Sequence, residues 1–457
     1  MQIFFKVAQF WMPFNNMVTN STATTITGSA GIDDLHGNTA LASSIDGGAG
    51  NDSITGGTGN DTLKGGDGAD TITNGGGAGD SVDGGAGNDV VVATLTAGNT
   101  IVGGEGTDVL SLATAATAST ATGVSGFETF RLTANTTQDM IQFIENSTFT
   151  TIQGALAGAT TAFTNVAPGV TTFATTAATN TSTFARLIDT SSNSLNVVLL
   201  GNATTTALTA NDEETINLST SSAVGATTLS TLTATDLHTL NITGTNAITI
   251  TNAIAANTTT AGTTLTINAS ANTGGVSLSA ASSTIVANIT GSSTAANTLV
   301  GTGGSDTITG GGLADNITGG VGYDTMTGGA GADTFVFANT ATGTPSATNS
   351  AFDVITDYVS GSDVIDFGGI TIAQSSNTTH AGGVAQAGNA WVASGVVTFH
   401  ISDNTLAKRL IAVEAAISDL NADATTGDAA AGDALVFAFG GDSYIFVSDA
   451  TGIPPIL

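Results

Sequence analysis

The chain has 457 residues, and 36 Asp+Glu against 6 Lys+Arg give a formal net charge of −30 at pH 7 although only 9% of residues are charged. Such a balance repels nucleic acid and anionic lipid and calls for cations wherever carboxylates crowd together. A 40% hydrophobic content excludes a disordered chain, and the absence of cysteine excludes disulfide staples and thiolate metal or redox sites.

Residues 1–27 form an apolar N-terminal segment carrying Phe4, Phe5, Phe10, Trp11 and Phe14. It reads either as an exposed contact surface or as a strand or short helix packed on the coil that follows. The stretch from Met1 to Met17 has no basic n-region and no small-residue cleavage site, so a cleaved signal peptide is not the expected export route. No apolar run reaches the ~18 residues that a bilayer-spanning helix needs.

Residues 28–112 are a first repeat array. From Gly47 to Val92 the chain reads GGAGNDSIT, GGTGNDTLK, GGDGADTIT, a slipped GGGAGDSVD and GGAGNDVVV. Asp52, Asp61 and Asp70 stand nine apart, the inserted Asn74 displaces Asp80 by one, and Asp89 returns to the period. GGEGTDVLS adds Asp108, Asn99 holds the equivalent place before it, and the degenerate GSAGIDDLH adds Asp33. Six glycine-rich residues make a turn with open backbone carbonyls, the sixth-place aspartate adds a carboxylate, and the last three residues form a short strand. The middle strand residue, as in Ile54, Leu63, Ile72, Val82 and Val91, is expected to point inward. Two nonapeptides then close one coil. Stacked coils bring like charges to ~5 Å unless a cation lies between them. Calcium suits such a place, because it accepts six to eight oxygen ligands in flexible geometry.

Residues 113–290 are rich in Thr, Ala, Ser and Asn, and the segments 214–218, 237–242, 247–251 and 264–268 alternate apolar with polar β-formers. Either a continued solenoid or a Thr-rich sandwich would satisfy them, and the solenoid is preferred. Residues 291–338 hold a second array, GTGGSDTIT, GGGLADNIT, GGVGYDTMT and GGAGADTFV, with Asp306, Asp315, Asp324 and Asp333 nine apart and Ile308, Ile317, Met326 and Phe335 inward. Turn chemistry alone, without metal, would explain Gly and Asp but not two arrays in register. A nucleotide-binding glycine loop is excluded because no strand-to-helix unit follows.

The pattern GGxGxDxUx resembles the calcium-binding nonapeptides of the RTX family. The resemblance implies a right-handed parallel β-roll with Ca2+ in its turns; the expected fold is all-β and adds the Thr/Ala-rich solenoid between the arrays and a small C-terminal α+β cap over residues 339–457. Segment 352–368 resembles the piece that closes RTX arrays, and it supplies Asp363 and Asp366 as further candidate ligands. An exposed last coil would need such a cap. Residues 403–420 place Leu406, Leu410, Val413, Ile417 and Leu420 on one helical face behind Asp403 or Asn404 as N-cap, and 435–447 reads as a hairpin turning at Gly440-Gly441-Asp442. In the family such C-terminal regions carry the uncleaved signal for type I secretion.

No catalytic constellation is expected. His36, His238, His380 and His400 stand apart, and the sequence contains neither HExxH nor GxSxG. The adjacent Glu213 and Glu214 would point to opposite faces of a strand and are expected to be solvated. Segment 126–133 resembles strands of RTX-bearing bacterial surface-layer proteins, although no large anchoring domain precedes the first array. The expectation is a secreted structural protein of the cell surface, not an enzyme, in which copies form a two-dimensional or tubular array, with cell-surface polysaccharide as a further partner. An RTX adhesin that binds a carbohydrate or a surface is the alternative, and an RTX-linked hydrolase comes behind it.

Overall fold

A computed structural model of the chain describes residues 16–19; 25–337 apart from 147, 155–157, 176–179, 201–203, 206, 221–224 and 257–262; 353–366 apart from 360; and strand segments at 390–393, 396–399, 434–439 and 442–447. Among the described residues the only helical pieces are Ala118–Ala121 and the 3-10 turn Met140–Gln142, and no helix is long and apolar enough to cross a membrane. The chain packs as two compact units, Met1–Glu213 and Glu214–Leu457. The described coils of each form a parallel β-solenoid.

In the first unit one wall stacks Asn16–Thr19, Asp33–His36, Ser53–Thr55, Thr71–Thr73, Val90–Ala93 and Val109–Leu112. The facing wall stacks Thr25–Thr27, Ser44–Ala49, Thr62–Asp67, Ser81–Ala86, Thr100–Glu105 and Val124–Ser125. Consecutive nonapeptides therefore lie on opposite walls, and a coil closes in 18 residues, as from Asp52 to Asp70. Ile54, Leu63, Ile72, Val82 and Val91 all point inward and are buried, each contributing about 1.5–3 kcal/mol of burial free energy. One expectation changes. On the second wall the array strands run six residues instead of three, because the second-place glycines Gly48, Gly66, Gly85 and Gly104 continue the ladder. Gly66 does so at φ +111°, where a Cβ would strike the Gly48 carbonyl, so only glycine allows the longer strand.

Past the array the coils lengthen, to 22 residues between Arg131 and Gln153 and 26 between Arg186 and Asp212. The wider cross-section is filled with rings: Phe130 lies 5.2 Å from Phe143, 5.8 Å from Phe149 and 6.1 Å from Phe163 between centroids. Pairing stays parallel and in register, Phe130 on Ile152 on Phe173, which rules out the sandwich alternative for this stretch. The expected solvation of Glu213 and Glu214 is corrected: both side chains are buried. Glu213 precedes the strand Thr215–Thr220 and turns inward to a cation. Arg186 Nε donates to Glu213 Oε1 at 2.6 Å, its Nη1 donates to Val170 O at 2.6 Å, and its guanidinium lies 4.8 Å from the Phe184 ring centre. A buried charge left without its partner is costly, so Glu213→Gln is expected to destabilise the first unit by about 3–5 kcal/mol. Urea denaturation checks it, and a loss below about 1 kcal/mol would mean that the pair adds no more than a surface one.

In the second unit one wall runs Thr215–Thr220, Thr239–Thr243, Thr264–Asn268, Val286–Thr290, Thr307–Gly311, Thr325–Gly329 and Val354–Ile355. The other runs Thr227–Leu229, Ile248–Ile250, Val276–Ser279, Thr298–Val300, Asn316–Thr318, Thr334–Val336 and Val364–Asp366. Ile308, Ile317, Met326 and Phe335 are buried between them. The C-terminal hairpin forms from Ala434–Phe439 and Asp442–Val447 in antiparallel register, and Val396–Phe399 and Ala390–Ala393 extend it to four strands. The helix expected over 403–420, the aromatic residues of 1–15, His380 and His400 lie outside the described residues.

Candidate metal centre

Each array turn ends on its sixth-place aspartate just before the chain enters a strand, so parallel stacking superimposes these aspartates. The N–H of one residue donates to a side-chain Oδ1, of a carboxylate or of the amide of Asn99 or Asn297, one coil further on. In the first unit Asp33 N meets Asp52 (2.8 Å), Asp52 N meets Asp70 (2.7 Å), Asp70 N meets Asp89 (2.8 Å) and Asp89 N meets Asp108 (2.8 Å). The opposite edge runs from Ser43 N to Asp61 (2.7 Å), Asp61 N to Asp80 (2.9 Å) and Asp80 N to Asn99 (3.2 Å). In the second unit one stack joins Ala287 N to Asp306 (2.6 Å) and Asp306 N to Asp324 (2.8 Å). The other joins Val276 N to Asn297 (3.1 Å), Asn297 N to Asp315 (2.7 Å), Asp315 N to Asp333 (2.9 Å) and Asp333 N to Asp363 (3.1 Å).

Only one oxygen of each carboxylate is used this way. Oδ2 of Asp52, Asp61, Asp70, Asp89, Asp108, Asp315 and Asp324 is buried and accepts no hydrogen bond. The first glycine of each turn makes room for it: a Cβ on Gly56 would lie 2.6 Å from Asp61 Oδ2 and 2.8 Å from the Asn74 carbonyl, and one on Gly310 would strike Asp315 Oδ2. The result is a cradle of carboxylate and carbonyl oxygens with a deficit of protons. Loss of hydration is the main reason these carboxyls resist ionisation: it pushes Asp89 and Asp315 up to about 6 and Asp324 to about 7. Asp52, Asp61, Asp70, Asp80, Asp108, Asp306 and Asp333 are raised for the same reason. The backbone N–H each accepts pulls the other way, and for Asp324 the charges of Asp353 and Asp306 add to the rise. Orphaned oxygens, hard donors and uncompensated charge fit a divalent cation of the calcium kind.

Twelve of the thirteen candidate residues, Asp33, Asp52, Asp61, Asp70, Asp80, Asp89, Asp108, Asp306, Asp315, Asp324, Asp333 and Asp363, are buried in these stacks. Asp366 instead ends the strand Val364–Asp366 on its exposed face. Two acids that sequence reasoning passed over extend the stacks: Asp108 N donates to Glu128 Oε2 at 2.8 Å and Asp324 N to Asp353 Oδ1 at 2.8 Å. Asp353 is itself pushed up to about 6 by burial. Both precede a strand as Asp306 does, in Glu128-Thr-Phe130 and Asp353-Val-Ile355, and that acid-x-apolar signal was available. His36 is half-buried 3.0 Å from Asp34 and takes no part in a stack.

Stacked carboxylate turns on a parallel β-roll define a calcium-binding repeat protein. The RTX calcium-binding nonapeptide repeat family (4 copies) matches residues 46–80 and 74–95, and the family described as Peptidase M10 serralysin C terminal matches residues 212–413. The chain is an RTX-type secreted protein, and its nonapeptides bind calcium. The serralysin-type match concerns a non-catalytic domain. No curated protein matches the chain.

Proposed function

We propose that this RTX protein is a structural component of the cell surface whose copies assemble, with calcium, into an extracellular array of the surface-layer kind. The observation that carries the reading is an uncharged, ribbed face on the second unit. Thr239, Thr266, Asn288, Thr307 and Thr325 follow one another in register, and beside them run Asn241, Asn268, Thr290, Thr309 and Thr327. These side chains point away from the buried row Leu240, Ile267, Ile289, Ile308 and Met326. Coils repeat about every 4.8 Å, so two such faces match rib for rib in hydroxyl and amide groups. A molecule of charge −30 repels its copies except where contact is neutral or a divalent ion bridges carboxylates, since monovalent salt screens over only about 8–10 Å. A lattice further requires heterologous contacts that do not close.

Analytical ultracentrifugation across a calcium titration, followed by negative-stain imaging, tests this reading. Sheets or tubes that form with calcium and disperse on chelation are expected. A monomer at every calcium concentration would defeat it, and glycan binding by that monomer would establish the adhesin instead.

A further inference from the structure

The turns of the second array are of two chemical kinds. At Asp315 and Asp324, Oδ2 is buried without a hydrogen-bond partner. At Asn297 the same place holds a donor: Nδ2 lies 2.8 Å from where a Cβ on Gly291 would stand, the position that Oδ2 of Asp315 takes beside Gly310. Four acceptors surround the two protons of this nitrogen: Ser292 O at 3.0 Å, Ala295 O at 2.9 Å, Gly310 O at 3.3 Å and Asp315 Oδ1 at 2.9 Å. The other amide atom, Oδ1, receives the N–H of Val276 at 3.1 Å and of Ser292 at 2.9 Å. Acceptors surround the nitrogen and donors surround the oxygen, so the orientation of the amide is determined by its partners. The amide protons thus stand among oxygens that elsewhere in the array await a cation.

The next turn is closed by a different group. The backbone N–H of Thr302 donates to Asp306 Oδ2 at 2.5 Å, and the Thr302 hydroxyl lies 3.0 Å from the same oxygen. Asp306 is accordingly absent from the orphaned set that contains Asp315 and Asp324. The Thr302 hydroxyl also lies 2.6 Å from Ile285 O, so the backbone N–H is the donor that closes this oxygen, and along the chain the array passes from a turn closed by a side-chain amide to one closed by a backbone N–H and only then to open ones.

We propose that the second array takes calcium at the turns of Asp315 and Asp324 but not at those of Asn297 and Asp306. The coils leading up to Asp306 are closed by protein donors alone, and they form a metal-free template onto which the calcium-requiring coils fold. This inference rests on the reading of the open turns as calcium sites. The physical reason is the cost of an unpaired buried acceptor: open turns carry that cost until a cation arrives, and closed turns do not. A template of formed coils removes the nucleation step for the coils stacked on it, as in other quasi-one-dimensional repeats.

Hydrogen exchange on the full chain, read by mass spectrometry with excess chelator and with calcium, tests the division directly. Amides of residues 264–310 are expected to be protected in both conditions, and those of 315–336 only with calcium. Asn297→Asp replaces the donor with an oxygen and is expected to raise the calcium count by one in calorimetric titration, while Asp324→Asn lowers it. Equal calcium dependence of the two segments would overturn the proposal, as would a folded Asn297→Asp protein with an unchanged count. Should that variant not fold, the exchange pattern of the unaltered chain decides. If Asp315→Asn and Asp324→Asn both leave the calcium count unchanged, the calcium reading of the open turns fails, an outcome separate from failure of the template.

Discussion

In excess chelator at pH 7.5 the coils between Asp52 and Asp108 are expected to lose their β-structure and to regain it cooperatively as calcium reaches about 10⁻⁴–10⁻³ M, the usual range of extracellular calcium modules. Five orphaned oxygens in this stretch, on Asp52, Asp61, Asp70, Asp89 and Asp108, each carry the cost of a buried acceptor without a partner, about 1–3 kcal/mol and more for a charged one. Domains are stable by only about 5–15 kcal/mol in total, so the metal-free array stands near or below its threshold. Calcium present at about 100 times its Kd would add about 2.7 kcal/mol per independent site. The same ions compensate the like charges that face each other from coil to coil. Circular dichroism over a calcium titration reads the result. A full β spectrum in chelator that does not change on adding calcium would show that the array folds on packing alone.

Acid should act in opposite directions on the metal-free and the calcium-loaded protein. The carboxyls of Asp89, Asp315 and Asp353 stand at about 6 and that of Asp324 at about 7 in the metal-free fold, against about 3.9 in an unfolded chain. Between those values the folded state holds more protons than the unfolded one, so its stability rises as pH falls through about 7 toward 4 and gains nothing further below. Protonation removes the like-charge repulsion and supplies a proton to an oxygen that had none. In calcium the sign reverses, because protons compete with the metal for the same oxygens and loaded stability falls over the same window. The β-content of the arrays in chelator and their thermal unfolding in calcium, followed at pH 7.5, 6 and 5, should therefore show structure gained without metal and stability lost with it on acidification. Parallel trends would show that these carboxylates neither bind the ion nor control the metal-free fold.

Much of this architecture was legible in the residues. The nine-residue aspartate period reports a coil of two nonapeptides, because only a parallel stack makes equivalent residues meet every second repeat, as Asp52 meets Asp70. Middle-place residues such as Leu63 and Ile317 had to turn inward once the three-residue strand was granted, and both are buried. The hairpin at 434–447 follows from its apolar runs around Gly440-Gly441. Glu213 was misplaced because a charged pair reads as solvent-facing when its partner, Arg186, lies 27 residues earlier.

Repeat spacing and inward apolar places thus determined the solenoid, its two arrays and their calcium chemistry, since these depend on periodicity, which a sequence displays directly. Which turns still lack a proton or a cation was decided by the tertiary structure. Asn74 looks like an insertion that spoils the period, yet in the fold its Nδ2 donates to Asp80 Oδ2 at 2.9 Å. Ser29 similarly sets its hydroxyl 2.9 Å from Asp33 Oδ2, and the Val359 N–H donates to Asp363 Oδ2 at 2.7 Å. Glu128 and Asp353 enter the stacks from 20 and 29 residues away. Satisfaction of a buried oxygen depends on which donor stands within about 3 Å of it, and in a solenoid that donor comes from a turn or a neighbouring coil whose length the nonapeptide period does not encode.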